Sequence, residues 1–89
     1  MDTNRRNEMT GYQVDVQRMT ETDIITIDAY SGTDRHDVER YGLEAVRSNR
    51  EANWALLYTY EEVKEDGVWQ REYSDGHIAV CNGITWEDE

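Results

Sequence analysis

Several features that define common protein classes are missing from this chain of 89 residues. Cys81 is the only cysteine, which excludes an internal disulfide and a zinc site built from cysteines of this chain. No apolar run approaches the roughly 18 residues that a membrane-spanning helix needs. The first residues, MDTNRRNEMTGYQ, hold no hydrophobic stretch of the kind that marks a signal peptide. We therefore expect a cytoplasmic protein.

Linkers and repeats are absent as well. No segment is rich in proline or glycine, internally repeated or of low complexity, so the sequence indicates no second domain. We expect a flexible N-terminus at residues 1–10, a single α+β domain at 11–84 and an acidic tail at 85–89. A chain of this size can fold unaided around a small core.

Basic residues are scarce, and lysine is nearly absent. One lysine and eight arginines stand against 20 acidic residues, which gives a net charge of −11. Residues 1–50 contribute −3 and residues 51–89 contribute −8, so the C-terminal half is the acidic half. Such a chain offers no basic footprint to phosphate backbones or anionic lipids. We expect it to bind neither nucleic acid nor membranes directly.

The first half of the chain changes from strand periodicity to helix periodicity. Residues 12–17 and 23–30 alternate apolar and polar side chains, which predicts two strands paired as a hairpin. Residues 31–49 then predict one amphipathic helix with apolar residues at helical spacing: Val38, Tyr41, Gly42, Ala45 and Val46.

The start and the middle of this helix carry recognisable signals. Ser31, Thr33 or Asp34 can cap the first backbone amides, and Asp37 favours the positive end of the helix dipole. Gly42 would let the helix lie close to the sheet.

The second half begins with an apolar run, residues 54–63, that fits either a buried helix or a strand. Asp66-Gly67 and Asp75-Gly76 are signals for tight hairpin turns, so we interpret the region as a three-stranded meander. In that register Glu61 lies opposite Glu72. One face then collects large apolar residues, and we expect it to meet the helix: Trp54, Leu56, Tyr58, Tyr60, Trp69, Tyr73, Ile78 and Val80.

Together these elements predict an α+β fold, an antiparallel sheet of about five strands in the order ββαβββ with one helix packed on one face. The alternative is that helix 33–50 continues into a second helix at 51–62, which would give a small helical interaction module.

Residue types that support catalysis or metal binding are few. His36 and His77 belong to no motif with a nucleophile, and a lone cysteine such as Cys81 is more typical of packing. Glu61, Glu62, Glu65 and Glu72 match no calcium-loop spacing. We expect no enzyme, no metal site and no cofactor.

The acidic residues of the second half are the candidate site. Six of them lie between Thr59 and Gly76, and opposing like charges across paired strands reduces stability. We therefore expect a negative surface that binds a basic, nucleic-acid-binding protein. The predicted partner-binding residues are Glu61, Glu62, Glu65, Asp66, Glu72, Asp75, Trp86, Glu87, Asp88 and Glu89.

One segment also suggests a protein class. Tyr30 to Arg40, YSGTDRHDVER, is similar to a helix-start segment of a small anti-CRISPR family of the type I systems. Small size, strong acidity and a compact α+β plan likewise resemble anti-CRISPR proteins and other phage-encoded inhibitors. The resemblance implies a stoichiometric inhibitor that sits on a Cas protein in the host cytosol, with DNA mimicry as one route.

Two alternatives remain open. Acidic composition with a single lysine would also suit a salt-adapted cytosolic protein, whose surface charge carries no information about partners. A protein-interaction module with a partner unrelated to nucleic acid is equally compatible with the sequence. The oligomeric state is left open.

Overall fold

The computed structural model of the protein describes residues 5–89, with side chains from residue 10 onward. It has one antiparallel sheet of six strands and one helix. The elements are β1 (Arg5–Met19), β2 (Ile24–Gly32), α1 (Arg35–Ser48), β3 (Trp54–Glu65), β4 (Val68–Tyr73), β5 (Ala79–Cys81) and β6 (Trp86–Asp88). The predicted α+β class and element order are confirmed, with β6 added at the end.

Strand β3 lies at the centre of the sheet. Along one edge it pairs with β1, which in turn pairs with β2 as the predicted hairpin. Its other edge is shared by β4, beside residues 60–65, and by β5, beside residues 55–57. β6 pairs with the outer edge of β5. The order across the sheet is therefore β2, β1, β3, β5 and β6, with β4 next to β5 along β3.

Strand β1 is longer than its apolar alternation indicates. Residues 5–10, which the sequence suggested as a flexible end, pair with β3, so that Thr10 lies opposite Glu61. The remaining part of that predicted flexible segment, residues 1–4, lies outside the described residues.

The second predicted hairpin turn is wrong. Gly76 does adopt a positive φ of 93°, but the chain continues along β3 instead of reversing. The predicted meander sets Ile78 opposite Tyr73, whereas the amide of Ile78 donates to the carbonyl oxygen of Leu57 at 2.7 Å. Asp75 and Gly76 thus lie in a short insertion between β4 and β5, which both pair with the same edge of β3.

The face that meets the helix was also wrongly predicted, although Ile78, one of the residues assigned to it, does pack against the core. The core under α1 is built from Val38 and from sheet residues that are small or aliphatic: Val14, Val16, Ala55, Leu57, Ala79 and Cys81. The large residues of β3 and β4 point to the other side of the sheet, which we call the open face; it includes Gln13, Asp15, Leu56, Tyr58, Tyr60, Arg71 and Tyr73. Small and aliphatic residues fill the centre of this core, and the rings of Tyr12, Tyr30 and Trp86 pack around it.

Helix α1 starts and packs as its sequence predicts. Asp34 is the cap, and its carboxylate accepts from the amides of His36 at 2.9 Å and Asp37 at 3.4 Å. Gly42 is buried against the sheet, as proposed. A Cβ at this position would lie 2.7 Å from Cγ2 of Val14 and 2.9 Å from Cζ2 of Trp86.

The contact at Gly42 gives a first prediction. Gly42→Ala should lower the free energy of unfolding by about 1 kcal/mol or more, because overpacking outweighs the better helix propensity of alanine. Chemical denaturation followed by circular dichroism measures this change.

Glu44→Ala, at an exposed position of the same helix, is the matched control and should change stability by less than about 0.5 kcal/mol. A Gly42→Ala protein as stable as the parent would show that the helix does not need this close approach.

Candidate functional site

The β3–β4 hairpin forms as predicted. Glu61 lies directly opposite Glu72, Glu62 opposite Arg71 and Tyr60 opposite Tyr73. Asp66 and Gly67 occupy the turn with φ values of 52° and 81°. Two successive positive φ values are typical of the type I′ turn that Asp-Gly favours, so the acidic hairpin has a fixed register.

The two faces of the hairpin carry different chemistry. Glu61 and Glu72 share the face on the helix side of the sheet, and each also interacts with another residue, as does Glu65. On the open face, Nε of Arg71 lies 3.4 Å from a carboxylate oxygen of Glu62. The Arg71 guanidinium also stacks over the ring of Tyr60, 4.3 Å from its centroid. The like-charge pair is therefore confined to one face.

The hairpin extends beyond the helix. The core cluster under α1 includes Ala55 and Leu57 of β3 but, among the described residues, none from β4. All six residues of β4 are exposed, and Trp69 and Tyr73 each expose about half of their side chains. Glu61 and the whole of β4 are thus accessible to a large partner, whereas Val63, between Glu61 and Glu65 on the same face of β3, is buried.

The other predicted site residues lie elsewhere. Asp75 is exposed in the insertion between β4 and β5, where Ser74 Oγ accepts from the amide of Thr59 at 3.2 Å and donates to the carbonyl of Gly76 at 2.8 Å. Asp75 therefore sits at the base of the hairpin, away from the turn at Asp66.

Residues 85–89 are not a loose tail. They contain β6, and the indole Nε1 of Trp86 donates to the carbonyl oxygen of Glu39 in α1 at 2.7 Å. Asp88 lies 2.6 Å from Arg35, and Glu89 lies 2.8 Å from His77. Trp86 thus fastens β6 to the helix. Within the described residues, Asp88 forms an ion pair, Glu89 forms a hydrogen bond with the ring of His77, and Glu87 has neither.

Side chains able to support catalysis are dispersed. The described residues contain no group of three or more histidine, cysteine or acidic side chains placed to hold a metal ion. Cys81 is fully buried, and burial raises the pKa of its thiol. No helix within residues 5–89 is both long and apolar enough to cross a membrane.

The open face was missed by reasoning from the sequence. Tyr58 and Tyr73 line a shallow cavity there with Gln13 and Asp15 of β1. Alternation along β1 assigns these polar residues to the exposed side of a strand, but nothing local indicates that β1 pairs with β3, so that Gln13 lies opposite Tyr58, 45 residues later. That long-range pairing brings Gln13 and Asp15 next to Tyr58 and Tyr73.

Known proteins offer no guide to this arrangement. No protein-family model matches the chain, and neither curated proteins nor solved structures give a significant match.

A second prediction concerns Trp86. Trp86→Phe removes the hydrogen bond to Glu39 while retaining a ring, and should lower the free energy of unfolding by about 1 kcal/mol. Trp69→Phe, at an exposed hairpin position, should change it by less than about 0.5 kcal/mol. Equal effects in denaturant titrations would mean that Trp86 does not fasten β6.

A third prediction concerns Cys81. Because the thiol is buried and its pKa is raised, Ellman's reagent should react at neutral pH only as the protein unfolds. The absorbance of the released thiolate measures the reaction with and without denaturant. Rapid, complete labelling of the native protein would contradict the burial of this residue.

Proposed function

We propose that the protein is a non-enzymatic binding protein whose acidic hairpin docks on a basic surface of a nucleic-acid-binding protein. The observation that carries the proposal is the direct opposition of Glu61 and Glu72 on a hairpin that extends beyond the helix. Opposed like charges across strands cost stability. A cost of this kind at an accessible position is typical of a surface kept for binding.

The charge of the whole chain supports the same interpretation. A net charge of −11 on 89 residues produces a strong field of one sign. Such a field speeds association with a basic partner and disfavours anionic ones. The fixed type I′ turn adds preorganisation, because little conformational entropy is lost when a rigid hairpin binds.

The docking surface differs from the one expected from the sequence alone. We assign it to Glu61, Glu65, Asp66 and Glu72 of the hairpin. Glu62 lies on the open face, where it pairs with Arg71, and Asp75 and the terminal acids lie further along the sheet, so we leave these residues out of the surface. Trp86, which is half-buried against α1, is left out of the surface.

We extend the proposal to inhibition of a CRISPR effector in the host cytosol, in which carboxylates occupy a groove that otherwise holds a nucleic-acid backbone. Duplex DNA carries about one charge per 1.7 Å of axis, so such grooves are lined with lysine and arginine. The segment Tyr30 to Arg40 adds little support, because its residues serve the helix start: Asp34 caps α1 and Tyr30 donates to Asp37 at 2.8 Å.

A fourth prediction tests the hairpin. The double variant Glu61→Lys and Glu72→Lys should lose protection of phage in a plaque assay on hosts with an active type I CRISPR system. The purified variant should bind the effector at least about tenfold more weakly and with a smaller salt dependence, because a charge-assisted contact is lost. Effector-bound parent protein should be displaced by duplex DNA.

The double variant Glu21→Lys and Glu44→Lys, at exposed positions in the β1–β2 turn and on α1, makes the same change in net charge away from the hairpin and should behave like the parent. Circular dichroism confirms that each variant is folded. Unchanged binding by the Glu61→Lys and Glu72→Lys variant would contradict the docking surface. Loss of the fold at low salt, with recovery at multimolar salt, would instead assign the acidity to salt adaptation.

A further inference from the structure

A shallow cavity of about 300 Å³ lies on the open face, opposite the side that carries α1. Gln13 and Asp15 of β1, Tyr58 of β3, and Tyr73 and Ser74 at the end of β4 line it. This volume is at the lower limit for small-molecule sites, which favours one side chain over a whole cofactor.

A chain of hydrogen bonds holds the lining in place. The hydroxyl of Tyr73 donates to Oε1 of Gln13 at 3.0 Å, and Nε2 of Gln13 donates to Oδ1 of Asp15 at 3.0 Å. The carboxylate is thus oriented by β4 through Gln13. An ionised carboxylate has about four acceptor positions, so Asp15 retains the capacity to bind a further donor.

Asp15 supplies the negative charge in the lining of the cavity, and the Arg71 guanidinium lies at its edge beside the Tyr73 hydroxyl. Asp15 is half-buried, and within the described residues no arginine or lysine forms an ion pair with it. Burial and then the charge of Asp15 raise the pKa of Tyr58. A half-buried carboxylate beside two aromatic rings is favourable for a cation, which gains both the charge and the ring faces.

The neighbouring residues indicate which cation fits. Arg71 and Tyr60 lie next to Tyr73 and Tyr58 on the same face of their strands, and there the Arg71 guanidinium stacks on Tyr60 at 4.3 Å. A planar guanidinium can stack on a ring and bind a carboxylate with two hydrogen bonds at once, which a compact ammonium cannot do.

We propose that this cavity binds an arginine side chain of a partner protein, with its guanidinium against Tyr58 and Tyr73 and its N–H groups on Asp15. The site lies on the opposite face from Glu61 and Glu72, so it does not depend on the docking of the acidic hairpin. This contact would select one type of side chain, whereas the acidic hairpin attracts basic surfaces in general.

The test uses three blocked tripeptides that differ only in the central residue: acetyl-Gly-Arg-Gly-amide and its citrulline and lysine counterparts. Amide chemical shifts of the isotope-labelled protein report binding. We expect the arginine peptide to shift residues 13–15, 58 and 73–74, and the citrulline and lysine peptides to bind at least several-fold more weakly. Equal binding of citrulline or lysine, or shifts spread over the acidic surface, would overturn the proposal.

Asp15→Asn keeps the shape of the carboxylate and should weaken binding of the arginine peptide about tenfold or more, because one charge-assisted interaction is lost. Glu21→Gln removes the same charge far from the cavity and should bind like the parent. If Asp15→Asn does not fold, Tyr73→Leu removes an exposed ring and should weaken binding several-fold. Parent-like binding by the folded variant overturns the assignment.

Discussion

The rest of the structure depends on the backbone pairing of β3. One edge of this strand is bonded to β1 from Arg5 to Gln17, and the other is divided between β4 and β5. The half of β3 beside β5 holds Ala55 and Leu57, on which the helix packs. The half beside β4 extends beyond the helix and presents the acidic residues. A single strand thus joins the core to the proposed docking surface.

Local patterns predicted the elements well. The alternation around Val14 and Val16, the helical spacing of Val38 and Gly42, and the Asp66-Gly67 turn each depend on residues close in sequence. The opposition of Glu61 and Glu72 followed directly from that turn, because a two-residue loop leaves one register. This part of the candidate site could be predicted for the same reason.

Long-range choices could not be predicted. Residues Ala55 to Tyr58 are apolar on both sides of the strand, so alternation could not show which face meets the helix. Gly76 adopts the positive φ that its turn signal indicates. The hydrogen bond from Ile78 to Leu57 nevertheless keeps the chain on the same edge of β3. The residues around Trp86 have the composition of a mobile acidic tail. The structural role of Trp86 depends on its hydrogen bond to the carbonyl of Glu39, which is 47 residues away in the sequence.

Strand β4 has a further consequence for how copies of the molecule meet. Within the described residues its backbone pairs only with β3, so its outer edge presents amide and carbonyl groups that no other strand binds. Exposed edges of this kind invite sheet extension between molecules and, ultimately, aggregation. Carboxylates at Glu72 and along the neighbouring hairpin make the approach of a second, equally anionic edge unfavourable. The same charges that would attract a basic partner therefore also help to keep identical chains apart in solution.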